Sequence, residues 1–204
     1  MAQIEKTWEE LIHELYKNNF ILFGDYTLSS GLRSPYYIDL RMALSIPSIL
    51  RKVAYLYRQE AFKCCSYDAI AGIEVGSIPI AGILAYTMNT PMLYVRKSAK
   101  EYATKKYVEG LVREGWRVLV LEDVSTTGRS ILHAVEKLRD VGCQVSDAIV
   151  FIDREQGAYE KLAEVDVKLH SIYTVSKIFK VLKDSGYIDE SLYNELIEYL
   201  ERER

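Results

Sequence analysis

Cysteine is scarce in this chain. Cys64, Cys65 and Cys143 are the three present, and their spacing matches neither a metal knuckle nor a disulfide framework. A disulfide-stapled secreted scaffold is therefore not expected, and a reducing, cytoplasmic setting fits. Long apolar runs are missing too: none reaches the roughly 20 residues that a membrane helix needs. Glu5, Glu9 and Glu10 break up the N-terminal segment, so no signal peptide is expected. Positive charge is not in excess. Lys and Arg number 26 against 29 Asp and Glu, a formal net charge of −3, which leaves no overall basic footprint for nucleic acid. There is no Gly-x-x-x-x-Gly-Lys-Ser/Thr loop, no internal repeat and no linker. The 204 residues are the size of one domain with a proper core.

What is present centres on residues 118–130, Val-Leu-Val-Leu-Glu-Asp-Val-Ser-Thr-Thr-Gly-Arg-Ser. Val118 to Leu121 reads as a buried parallel strand. Ile131 to Val141 has helical periodicity, with apolar residues at 131, 132, 135, 138 and 141. Between them lies a small, hydroxyl-rich turn, Ser125 to Ser130. A strand that runs through such a turn into a helix presents unpaired N–H groups to an anion, and the helix dipole adds to the attraction. Gly128 allows close approach or a positive φ, and Thr126, Thr127 and Ser130 add hydroxyl donors. Glu122 and Asp123 would repel a phosphate, so they belong with sugar hydroxyls or a cation. The segment reads as a site for a phosphorylated sugar. The plain alternative is an acidic strand end before an ordinary helix cap.

Elsewhere the chain alternates strand and helix, which predicts an α/β fold with a mostly parallel central sheet flanked by helices. Residues 3–18 form an amphipathic helix carrying Ile4, Trp8, Leu11, Ile12 and Leu15 on one face. His13 beside that stripe reads as a surface residue. Phe20 to Gly24 and Tyr36 to Leu40 are strands around a turn rich in Ser, Gly and Pro, so residues 1–42 supply most of a small hood outside the sheet. Of Tyr36 and Tyr37, one is expected to pack and the other to offer a flat face to a planar ligand. Pro47 to Phe62 is a helix with Pro in its first turn. Asp68 to Ile73, the tight loop Glu74 to Pro79, and the helix Ile80 to Met88 make a second strand–loop–helix unit and a second candidate anion cradle. Met92 to Val95 is a strand. Residues 96–110 then lose periodicity and carry Arg96, Lys97, Lys100, Lys105 and Lys106. The segment starts at the C-terminal end of a sheet strand, where ligands sit in open α/β sheets. A basic loop there can close over a polyphosphate; a solvated loop or β-ribbon is the alternative. Val145 to Asp153 is a core strand with Arg154 just past its end. Val167 to Tyr173 is another, with His170 read as structural. Helices over Val175–Lys183 and Glu190–Leu200 close the chain.

Four strand-end segments, residues 29–41, 72–79, 96–110 and 122–130, together with Arg154, resemble the orotate phosphoribosyltransferases of the type I phosphoribosyltransferase family. The acidic strand end and Thr/Gly-rich loop resemble the family's 5-phosphoribosyl 1-diphosphate (PRPP) motif. Thr27-Leu-Ser-Ser-Gly-Leu-Arg-Ser-Pro-Tyr-Tyr-Ile-Asp resembles its base-side segment, and Gly72 to Ala81 its pyrophosphate loop. Residues 96–110 resemble its catalytic loop, and Asp153-Arg-Glu-Gln-Gly157 the segment whose Arg holds orotate. The resemblance spans about residues 20 to 175.

It implies transfer of the 5-phosphoribosyl group from PRPP to a ring nitrogen of orotate, giving orotidine 5′-phosphate and diphosphate in pyrimidine biosynthesis. Mg²⁺ is implied as a cofactor carried in by PRPP, with no metal held by protein ligands alone. Arg96, Lys97, Lys100 and Tyr102 are implied at the pyrophosphate and as the catalytic set. Glu122 and Asp123 would hold the ribose hydroxyls. Residues 124–130 (Val124, Ser125, Thr126, Thr127, Gly128, Arg129, Ser130) would complete the PRPP site. Thr126, Arg154, Tyr36 and Tyr37 would bind orotate, an Arg fork suiting its carboxylate. The resemblance also implies a homodimer in which the loop 96–110 reaches the partner's site. No nucleic-acid or membrane partner is implied. Three positions depart from the common pattern: Ser29 stands where many members have Lys, Tyr102 where many have His, and Ala103 where many have Gly. Transfer to another base, or PRPP sensing without catalysis, are the competing functions. Arg154 argues against the first and the retained basic loop against the second.

Overall fold

The computed structural model describes residues 2–27, 33–64, 66–98 and 106–203, with side chains described from residue 8 onward. The chain begins with helix α1 (Ala2–Lys17) and a two-stranded antiparallel ribbon, β1 (Ile21–Thr27) and β2 (Arg33–Ile38). Next come a 3₁₀ helix (Leu40–Ser45) and α2 (Pro47–Ala61). The main sheet is built from β3 (Ala69–Ile73), β4 (Met92–Val95), β5 (Val108–Glu109), β6 (Val118–Ser125), β7 (Asp147–Asp153) and β8 (Lys168–Thr174). Helix α3 (Ile78–Met88) follows β3, α4 (Arg129–Asp140) follows β6, and α5 (Ala158–Ala163) follows β7. Helices α6 (Val175–Asp184) and α7 (Glu190–Glu203) end the chain.

The six strands lie in the order β5-β4-β3-β6-β7-β8. All neighbours are parallel except β5, which runs antiparallel to β4 at the edge. Every residue of β3 and β7 is buried, as a sheet covered on both faces requires. The two faces separate by alternation. Ile70, Leu119, Leu121, Ile149 and Phe151 pack with α1, α2, α3, α6 and α7. Ala71, Val118, Val120, Ala148 and Val150 pack with α4 and α5. Connections leave β3 toward one edge and β6 toward the other, so the strand order reverses between these two. A crevice opens at the carboxyl ends of strands at such a switch point, and there the loop after β3 meets the loop after β6.

Several element bounds differ from the sequence expectation for identifiable reasons. Strand β6 continues past Leu121 to Ser125 because Val124 and Ser125 still pair with Ile152 and Asp153. Glu122 and Asp123 thus stand within the strand rather than after it. Strand β2 begins at Arg33 and stops at Ile38. The Asp39 carboxylate then accepts from Arg41 N and caps the 3₁₀ helix, a local side-chain bond that competes with continuing the ladder. Helix α3 starts at Ile78, with Pro79 inside its first turn, where the missing N–H costs nothing. Within the basic segment, Val108 and Glu109 form the edge strand.

Candidate active site

At the switch point lies a cleft of about 310 Å³, lined by Tyr37 to Arg41 from the hood, Glu74 to Gly76 from the loop after β3, Lys97, Glu122 to Val124, and Ser130. The loop after β3 is held from below by Ser77. Its fully buried Oγ accepts from Ile73 N at 2.7 Å and lies 2.8 Å from Leu121 O and 3.0 Å from Ile73 O, both acceptors for its single hydrogen. One hydroxyl therefore ties β3, its loop and β6 together. The Glu74–Val75 peptide is cis. Gly76 is pressed against the acidic strand end: a Cβ there would lie 1.9 Å from Asp123 Oδ2. No side chain larger than hydrogen leaves Asp123 in place.

The two acids have different surroundings. Glu122 is 6% exposed, and burial, followed by the charge of Asp123, raises its pKa well above the ordinary carboxylate value. Its Oε1 accepts from Asp123 N at 3.1 Å, and its carbonyl accepts from the buried Tyr57 hydroxyl at 2.6 Å. Asp123 is half-buried, and its Oδ1 accepts from Val124 N at 2.8 Å. A buried acid whose charged form is disfavoured, as Glu122 is, is matched to neutral hydroxyls more than to a phosphate.

Beyond them Gly128 caps α4 with φ 74°, and its Cα packs where a Cβ would come within 3.2 Å of Ala158 Cα. Thr126 and Thr127 are half-buried, Gly128 buried, and Arg129 and Ser130 exposed at the helix start. Ser125 Oγ is buried without a hydrogen-bond partner among the described residues. A buried hydroxyl left unmatched is uncommon, and this one stands at the end of β6, just before the turn into α4.

Residues 37–41 and Lys97 both line the cleft. Lys97 is exposed, and its backbone N donates to Glu74 Oε2 at 2.9 Å. Arg96 N donates to Tyr107 O at 2.9 Å, closing the base of the segment. Lys100 and Tyr102 fall outside the described residues, as do Ser29 and Ala103. Tyr37 lines the cleft and Tyr36 is fully buried, so the neighbouring tyrosines divide between surface and core. Arg154, 5% exposed, sits under the hood. Its Nε donates to Tyr36 Oη at 3.0 Å and its Nη2 to Ser34 Oγ at 3.1 Å. Its own N–H donates to Ser125 O at 2.9 Å. The cleft thus gathers Tyr37, Lys97, Glu122, Asp123, Val124 and Ser130, while Tyr36, Thr126, Thr127, Gly128, Arg129 and Arg154 stand outside its lining.

Asp39 and Arg41 line the cleft and were not singled out from the sequence. Arg41 grips Asp39 through Nε at 2.8 Å and Nη2 at 2.6 Å, and Nη2 also lies 3.4 Å from Tyr37 Oη. The Arg41 hydrogen bonds hold the Asp39 carboxyl below its usual range. The signal was the Asp-x-Arg spacing at a strand end. It is legible only once the 3₁₀ turn is known to fold Arg41 back.

Comparison with known proteins agrees with this geometry. Residues 42–182 match the phosphoribosyl transferase domain. The chain is 41% identical over 200 residues to the orotate phosphoribosyltransferase of Staphylothermus marinus, covering 98% of each. It is similar in structure to the orotate phosphoribosyltransferase of Aeropyrum pernix, with TM-score 0.78 and 37% identity over 88% of this chain and 99% of that one. It also superimposes on the UMP synthase of Leishmania donovani with TM-score 0.84 and 30% identity, covering 95% of this chain but 42% of that longer one. Sheet order, strand-end loops and end-to-end similarity lead to one assignment: the chain belongs to the orotate phosphoribosyltransferases of the type I phosphoribosyltransferase family, the pentosyltransferases that convert orotate and PRPP to orotidine 5′-phosphate in pyrimidine biosynthesis.

Proposed function

We propose that the cleft at the switch point holds PRPP, with each face doing a separate part of the transfer. The observation that carries this reading is the meeting of Glu122 and Asp123, the loop 74–76, Lys97 and the hood around one space. The N-terminus of α4, with Ser125 to Ser130, takes the 5-phosphate, where N–H groups and the dipole favour an anion. Asp123, with Glu122 behind it, accepts hydrogen bonds from the ribose hydroxyls. As the bond to pyrophosphate lengthens, positive charge grows on the ribose and negative charge on the leaving group. A carboxylate under the first and Arg96, Lys97 and Lys100 over the second stabilise that state more than the ground state. Tyr102 is assigned to the same leaving group. Orotate enters between Tyr37 and the strand end, with Tyr36, Thr126 and Arg154 fixing its position.

Mg²⁺ fits the same wall. Carboxylates of Asp39, Glu74, Glu122 and Asp123 line the cleft, and hard divalent cations take oxygen ligands beside substrate phosphates. Asp123 and Glu74 are the residues that would help hold the ion, which supplies charge neutralisation at the leaving pyrophosphate.

The functional unit is a homodimer in the cytoplasm, with residues 96–110 of each subunit closing over the site of its partner. Two free thiols, Cys64 and Cys143, support a reducing setting, and among the described residues no helix is long and apolar enough to cross a membrane. Subunit mixing tests the shared site. Lys100→Ala and Asp123→Asn are each expected to be nearly inactive. Mixed dimers would carry one site with an intact acid and an intact loop, and activity should reappear. Mixtures that stay inactive while exchanging subunits would rule out action across the interface.

A further inference from the structure

At the opposite end of the sheet from the cleft, three metal-ligating side chains converge. Asp147 is the first residue of β7, and His170 lies on the adjacent β8, whose register pairs it with Ile149. Side chains at 147, 149 and 170 therefore point to one face of the sheet, the face covered by α2. Cys64 follows the end of α2 and descends onto them. Donor atoms of Cys64, Asp147 and His170 all lie within 4.8 Å of one another. Asp147 and His170 are buried and Cys64 is half-buried.

We propose that Cys64, Asp147 and His170 form a binding site for a zinc-class divalent cation that fastens the end of α2 to β7 and β8. Thiolate, imidazole and carboxylate are the donor types that such ions take, in tetrahedral sets. The surroundings supply the rest of the arrangement. His170 Nε2 meets Asp147 Oδ1 at 2.7 Å. On the other side of the ring, Nδ1 faces Glu60 Oε1 at 3.7 Å. With the ion on the Asp147 side, Glu60 is the carboxylate that orients the imidazole, the usual outer partner of a ligating histidine. Asp147 is itself steadied by Ser146 Oγ, 2.8 Å from its other oxygen, and Glu60 by Lys63 Nζ at 2.7 Å.

A divalent ion with one thiolate, one neutral imidazole and one carboxylate sums to zero, so the occupied site leaves no net buried charge. Metal–donor distances of about 2.0–2.3 Å set tetrahedral donors roughly 3.3–3.8 Å apart. Holding an ion would open the Asp147–His170 contact, now 2.7 Å, to that separation. Cysteine spacing alone gave no sign of this site, because Cys64 lies more than eighty positions before Asp147 and His170, and the three meet only through the register of β7 and β8 and the packing of α2 on them.

Cobalt(II) titration of the full-length enzyme after chelator treatment tests the site. The expected result is a near-ultraviolet thiolate-to-cobalt charge-transfer band that saturates at one equivalent and is displaced by zinc. Cys64→Ser should abolish the band. Glu60→Gln should keep it while lowering affinity about 10- to 100-fold. Orotate turnover with Mg²⁺ should be retained in both variants, which shows that they fold. A wild-type protein that binds no cobalt, or binds it without the thiolate band, overturns the proposal, as does a band that survives Cys64→Ser.

Discussion

The Arg154 guanidinium lies over the ring of Tyr36, 4.4 Å from its centroid, and its Nε donates to the hydroxyl of that same tyrosine at 3.0 Å. A residue at the end of β7 is thereby fastened to the hood. Burial pushes the Tyr36 hydroxyl up to about 12, so it remains a neutral phenol at working pH. Tyr36→Phe keeps the ring under the guanidinium but removes the acceptor. It should cost about 1–2 kcal/mol of stability and raise KM for orotate roughly tenfold, with kcat and KM for PRPP much less affected, because the freed fork loses its aim. Steady-state kinetics with each substrate varied in turn checks this, and an unchanged KM for orotate would break the link between hood and base.

The buried Glu122 gives a pH prediction. Its pKa is raised in the folded state, chiefly by burial, so the native protein holds a proton that the unfolded chain releases near pH 4 to 5. Native binding of more protons means that stability falls as pH rises through that window and beyond, until the folded-state value is passed. Glu122→Gln removes this penalty. Its unfolding free energy should match the wild type near pH 4 and exceed it near pH 8 by an amount of order 1 kcal/mol or more. A variant that is less stable than the wild type at pH 8 would show that the charged form of Glu122 is favoured in the fold.

Gly76 tests the importance of Asp123 without touching it. A Cβ at position 76 would overlap Asp123 Oδ2, and the end of an Asp side chain can swing aside at little cost to the fold. Gly76→Ala should therefore lose roughly 100-fold in kcat/KM, about 2.7 kcal/mol of transition-state stabilisation, with a melting temperature within a few degrees of the wild type. Full activity would mean that Asp123 need not occupy its present position.

Much of this site was legible because local chemistry announces it. The run of four apolar residues before Glu122 and the glycine before α4 specify strand, turn and helix start from neighbours in sequence. The division of labour between Tyr36 and Tyr37 followed from alternation, though alternation could not say which one is buried. What escaped notice depends on partners far away in the chain. The extension of β6 past Leu121 exists because β7 continues beside it. Arg41 enters the cleft because Asp39 caps a 3₁₀ turn that no periodicity reveals. His170 lies on an alternating strand like any core residue. Its setting between Asp147 and Glu60 comes from the packing of α2 on β7 and β8.

The most direct measurement is the initial rate of orotidine 5′-phosphate formation by the purified enzyme from orotate and PRPP with Mg²⁺, set beside adenine as the competing base. Turnover with orotate, dependent on both PRPP and Mg²⁺, and no detectable adenine product are expected. Turnover of adenine without turnover of orotate would contradict the assignment.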